Sequence, residues 1–163
     1  MLPTIPSLMQ SCGVERVTDY KPSYLSIERF DMVWQIAELI LPKTDSPGAS
    51  DAGVAPFIDL LFASYFDSEE RKSWESSLET FNDESKKKYG SSFLDLSSKE
   101  QLDYLKKLDS DKEPIFKKLK SLILWGFFTS EPGMKSMNYN PVPGRYEGCI
   151  TIDETEKLLV GNR

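Results

Sequence analysis

Leu41 to Phe66 reads LPKTDSPGASDAGVAPFIDLLFASYF, and it decides the fold because a polar crossing joins two segments whose apolar residues recur at helical spacing. Pro42, Pro47 and Gly48 forbid one helix from running through it. Beyond the crossing, Val54, Phe57, Ile58, Leu61, Phe62 and Tyr65 fall three and four residues apart, so a broad apolar helix face must be buried against something. Ser50 or Asp51 is the expected cap of that helix. Pro56 then falls in its first turns, where a missing amide costs little.

Working outward, Tyr24 to Leu41 is a helix capped by Ser26, with Ile27, Phe30, Val33, Trp34, Ala37, Ile40 and Leu41 on its apolar side. Downstream, Asp67 or Ser68 starts a third helix. Its acidic first turns and the lysines at 86–88 suit the two ends of the helix dipole, and Trp74, Leu78 and Phe81 share one side. The Lys run is read as a solvated last turn. Phe93, Leu94 and Leu96 anchor a glycine- and serine-rich loop. A fourth helix follows, capped at Ser97 or Ser98, with Gln101 three residues beyond Ser98 in the capping-box relation and Leu102, Leu105 and Leu108 facing inward.

Glu113 and Pro114 open a fifth helix through Phe128, expected to be the most buried element, with Ile115, Phe116, Leu119, Leu122, Ile123, Trp125 and Phe127 on it. Gly126 interrupts that segment at a cost of roughly 1 kcal/mol relative to Ala, which close packing against a second helix would explain. Thr129, Ser130, Pro132 and Gly133 end the helix and turn the chain. The expected fold is therefore all-α: a compact single-domain helical bundle over residues 24–137. An extended N-terminal arm (1–23) precedes it and a Pro/Gly-rich C-terminal arm (138–163) follows, with a short helix at Asp153 to Leu159.

Composition narrows the function. With 163 residues the chain suits one domain with a radius of gyration of roughly 15 Å, and its formal charge of -6 disfavours a nucleic-acid partner. There is no histidine, which removes the usual zinc, haem and Ser-His-Asp arrangements. No Gly-rich phosphate fingerprint is present, and no apolar run reaches the roughly twenty residues of a membrane span. Asp45, Asp51 and Asp59 would need convergence and separated pKa values to act as a carboxylate site. They read more simply as turn, helix-start and polar-contact or helix-surface residues.

Three separated motifs carry a resemblance: LPKTDSPGASDAGVAPFID at 41–59, LWGFFTSEPGM at 124–134 and YNPVPGRYEGC at 139–149. In this order they resemble the small subunit, called subunit 3 or gamma, of membrane-associated FAD-dependent gluconate 2-dehydrogenase complexes and their sugar-dehydrogenase relatives. The resemblance implies a non-catalytic subunit with no cofactor or metal of its own. It also implies a catalytic flavoprotein partner that carries FAD, in some complexes a further haem-containing electron-transfer subunit, and a role in maturation, export or stability in the periplasm or cell envelope. It nominates Pro42, Asp45, Pro47, Gly48, Gly53, Phe57 and Asp59, then Gly126, Thr129, Ser130 and Gly133, then Pro141, Pro143, Gly144, Tyr146 and Gly148 as structural or interface residues. The crossing at 42–53 and the arm at 139–148 are the expected contact regions. An independent envelope adaptor that keeps the fold without a dehydrogenase is the alternative.

Members of that family commonly carry a twin-arginine export signal upstream; MLPTIPSLMQSCG at the start lacks a charged beginning and a long apolar middle. It is compatible with the end of a trimmed signal and equally with an unstructured start. Ser11-Cys12 after Leu8-Met9 resembles a bacterial lipidation boundary. A bond between Cys12 and Cys149 would staple the two arms in an oxidising compartment, and lipidation of Cys12 would exclude it.

Overall fold

The computed structural model describes residues 19–137 and Tyr139. Among them are six α-helices and one 3-10 turn: α1 (Ile27–Ile40), α2 (Val54–Ser64), α3 (Ser68–Tyr89), η1 (Phe93–Asp95), α4 (Ser98–Ser110), α5 (Pro114–Thr129) and α6 (Glu131–Ser136). No strand occurs among the described residues. The arrangement is compact and helical. Apart from Tyr139, the C-terminal arm lies outside the described residues, as do the helix expected at Asp153 to Leu159 and both Cys12 and Cys149.

Local chemistry fixes most helix ends. Ser26 caps α1 by accepting from Arg29 N, and Asp67 caps α3 by accepting from Glu69 N and Glu70 N while Glu70 returns a bond to Asp67 N. That capping box satisfies amides that the first turn leaves without partners. α4 has the same device, built from Ser97 and Glu100 and not from Ser98 and Gln101. Gln101 is instead buried, where its amide donates to Phe93 O at 2.9 Å and accepts from Gln35 Nε2 at 3.0 Å. Since Asn82 Oδ1 accepts from Phe93 N at 2.9 Å, both backbone groups of that buried turn residue are satisfied by side chains.

α1, α2 and α5 pack on one another, with α4 and α6 against α5 and η1 between α1 and α3. Phe30, Val33 and Ile36 of α1, Val54, Ile58 and Phe62 of α2 and Leu119 and Ile123 of α5 are buried at the centre. Each such side chain contributes about 1.5–3 kcal/mol relative to exposure. The richest burial belongs to α1, which also hides Met32, Trp34 and Ala37; α5, expected to be the most buried helix, leaves Trp125 and Phe128 at the surface.

Two residues expected on inner faces are turned to solvent. Ile27 is 63% exposed and Tyr65 74% exposed. Both sit at a helix terminus, where the apolar stripe runs past the last neighbour able to cover it. α6 was expected only as a turn. Ser130 caps it by accepting from Gly133 N, and Pro132 in its first turn is compatible with helix, so six residues close into a short element.

Candidate functional site

The crossing between α1 and α2 is braced from within. Ala49 N donates to Leu41 O at 2.9 Å, and Ser50 N donates to Glu38 Oε1 at 2.5 Å. Asp51 does not cap α2; its carboxylate reaches back to accept from Gly48 N at 2.9 Å and from Lys43 Nζ at 3.0 Å. Those two bonds, the Gly48 amide foremost, hold the Asp51 carboxyl below its ordinary pKa. α2 begins instead at Gly53, whose φ of 65° lies in the left-handed region that side chains disfavour. The turn at 44–46 is made by Thr44, which donates its N–H to Ser46 O and accepts from Ser46 N, and not by Asp45. Gly48 is buried with the Lys43 backbone against it, and Pro47 is half-buried. Pro42 and Asp45 face solvent.

Asp59 is the most constrained polar group. It is fully buried on α2, and its carboxylate accepts four hydrogen bonds: from Tyr20 Oη at 2.8 Å, Ser23 N at 2.6 Å, Tyr24 N at 3.1 Å and Leu25 N at 2.7 Å. A buried carboxylate is tolerated only when its lone pairs are occupied in this way. The result is a clasp that fixes residues 20–25 onto α2 and delivers the chain to the start of α1. Asp59 is therefore neither a helix-surface residue nor a free base. Burial, reinforced by the bond to Asp59, raises the Tyr20 hydroxyl pKa.

Around Gly126 the second motif meets the first. A Cβ on Gly126 would stand 2.8 Å from Phe57 Cδ1 and 3.6 Å from Val54 Cγ1, so α5 and α2 approach closely at that point. Phe57 in turn receives Trp125 edge-on, with ring centroids 5.3 Å apart at 79°. Thr129 donates its hydroxyl to Trp125 O, and Ser130 donates to Phe127 O while accepting from Gly133 N. Gly133 is buried against the Phe127 carbonyl, where any Cβ would collide.

The structure thus joins Phe57 to Gly126 and Ser130 to Gly133, places Asp59 beneath residues 20–25, and leaves Pro42 and Asp45 on an outer loop. Pro141, Pro143, Gly144, Tyr146 and Gly148 lie outside the described residues. Tyr20, Glu38, Lys43 and Trp125 belong to these constellations and were not singled out as site residues. Asp59 did carry a signal for the clasp: an acidic residue between Ile58 and Phe62 on an apolar face requires donors from elsewhere in the chain.

These features define a compact helical protein, in which polar groups of the motifs hold irregular segments against a helical core. The chain belongs to the family described as gluconate 2-dehydrogenase subunit 3, whose model matches residues 27–144. Membership implies an accessory subunit partnered with a dehydrogenase complex. Neither a curated protein nor a solved structure matches the chain. Among the described residues, no helix is long and apolar enough to cross a membrane and no group of three or more His, Cys, Asp or Glu is placed to hold a metal ion.

Proposed function

We propose that this chain is the non-catalytic small subunit of an FAD-dependent sugar or sugar-acid dehydrogenase, and that it supports the maturation, export or stability of the catalytic flavoprotein. The observation that carries the reading is the family match across residues 27–144, which spans both the crossing and the Gly126 seat. The chemistry around the matched motifs supports it. Asp59, Asp51, Ser130 and Gly133 are engaged in intrachain hydrogen bonds, as expected of residues that shape a surface. FAD is assigned to the partner and none to this chain. The proposal includes a haem-containing electron-transfer subunit as a further member of the complex, and the periplasm or cell envelope as its compartment.

Coexpression of the full chain with the catalytic flavoprotein of the same source tests the reading. Size-exclusion chromatography, flavin quantification and dye-coupled oxidation are the readouts. The isolated chain is expected to be colourless and inactive, and the pair to co-elute with higher soluble yield or activity than the flavoprotein alone. Failure to associate, with the flavoprotein maturing equally well alone, would leave the independent adaptor as the better account.

A further inference from the structure

α2 and α5 each carry large apolar side chains at the surface. Leu60 is 50% exposed, Trp125 48% and Phe128 44%. Leu60 lies three residues beyond Phe57 on α2, and Phe128 three beyond Trp125 on α5, so each pair shares a helix face. Beside Trp125 opens a groove of 570 Å³ that runs between the α2–α3 junction and α5. Phe66, Trp74 and Leu122 give it an apolar base packed on the core, and Trp125, Lys117 and Lys118 stand at its exposed margin.

The aromatic groups of the groove are braced by ring contacts. Phe66 and Trp74 stack with centroids 6.3 Å apart at 18°, and Trp125 is held edge-on by Phe57, itself seated on Gly126. An aromatic anchor already fixed in position binds at low ordering cost. The charge of the margin is opposite to that of the chain. Against a net charge of -6, Lys117 and Lys118 make no ion pair among the described residues, whereas Lys120 on the same helix is matched by Asp109 at 2.8 Å. Glu70 also borders the groove, with its carboxylate accepting from Asp67 N in the α3 capping box, so two positive charges stand there against one negative.

We infer that this groove receives the catalytic subunit of the dehydrogenase complex, through an apolar segment of that subunit bordered by carboxylates. The inference rests on the proposed function for the identity of the partner and on the groove for the place and chemistry of contact. The net charge of -6 on this chain repels carboxylates over most of its surface. Two unpaired lysines beside a fixed indole admit carboxylates at one place and set the register there.

The test measures the affinity of the full chain for the coexpressed catalytic subunit, with circular dichroism confirming that each variant stays helical. Trp125→Glu should weaken binding roughly 100-fold, because it removes the exposed indole and sets a negative charge against the partner's carboxylates. The double variant Lys117→Glu with Lys118→Glu alters only exposed side chains, so it tests the margin without disturbing the core. It should weaken binding at least about 10-fold at low salt and invert the salt dependence, because the reversed charges repel the partner's carboxylates and added salt screens that repulsion. Absence of binding by the unsubstituted chain overturns both this inference and the proposed function. Full binding by both variants overturns the groove alone. Two further arms identify other occupants. Cosedimentation with phosphatidylglycerol–phosphatidylcholine vesicles that the lysine reversal abolishes, with subunit affinity unchanged, overturns the inference in favour of a lipid surface. A self-associated form lost in Trp125→Glu, with subunit affinity again unchanged, overturns it in favour of a second copy.

Discussion

Replacing Asp59 separates its hydrogen-bonding role from its charge. In Asp59→Ala all four donors lose their acceptor. The Leu25 amide is buried, so its loss carries the full desolvation penalty, while Tyr20 Oη and the Ser23 and Tyr24 amides are part-buried and regain some water. One buried bond to a charged acceptor together with three partly compensated ones gives a loss of about 3–5 kcal/mol. Asp59→Asn is milder. Its amide oxygen can keep the Tyr24 and Leu25 amides, and its NH2 group can donate to a reoriented Tyr20 hydroxyl, leaving only the Ser23 amide facing a donor. That predicts a loss of about 1–3 kcal/mol. Urea unfolding followed by tryptophan fluorescence and far-ultraviolet circular dichroism measures both. Hydrogen exchange at Leu25 should accelerate in the Ala variant, because the clasp protects that amide directly. An Ala variant within about 0.5 kcal/mol of the parent, with Leu25 still protected, would refute the clasp.

Gly126→Ala gains about 1 kcal/mol of helix propensity but drives a methyl into Phe57, an overpacking cost of about 1–3 kcal/mol; a net loss of about 1 kcal/mol and an altered Trp125 emission are expected in chemical unfolding. Leu119→Ala empties a buried site and should cost about 2–5 kcal/mol by the same assay. The pKa of Asp51 is depressed in the fold, so its bonds to Gly48 N and Lys43 contribute above the ordinary carboxylate range and are lost as pH falls through the depressed value. The Gly48 amide resonance should therefore titrate below the range of a free aspartate, and Asp51→Asn should abolish that titration.

The sequence was most legible where the governing chemistry is local. Ser26 and Asp67 cap the helices their side chains mark, because an N-cap depends on amides two or three residues away. Ser97 and Ser98 show the limit. Each is followed three residues later by a residue suited to a capping box, Glu100 or Gln101, and only the packing of Gln101 over Phe93 selects between them. Periodicity identifies an apolar face but not how far along a helix its neighbours extend, so Ile27 and Tyr65 were placed inward and emerge outward. The Asp59 clasp was less legible still. Three of its donors are backbone amides at positions 23–25, which no side-chain pattern reveals, more than thirty residues upstream.

α3 has a mechanical consequence. Its 22 residues extend about 33 Å, yet only Leu78, Phe81 and Ser85 along them are buried. The helix is pinned near its first turns by Trp74 against Phe62 and Phe66, past its middle by Phe81 against Phe93 and Tyr104, and at its last residue by Tyr89 against Tyr104. Between those pins it behaves as a strut. The first pin is also part of the groove base, so one continuous helix joins the groove to the Phe81, Phe93 and Tyr104 cluster.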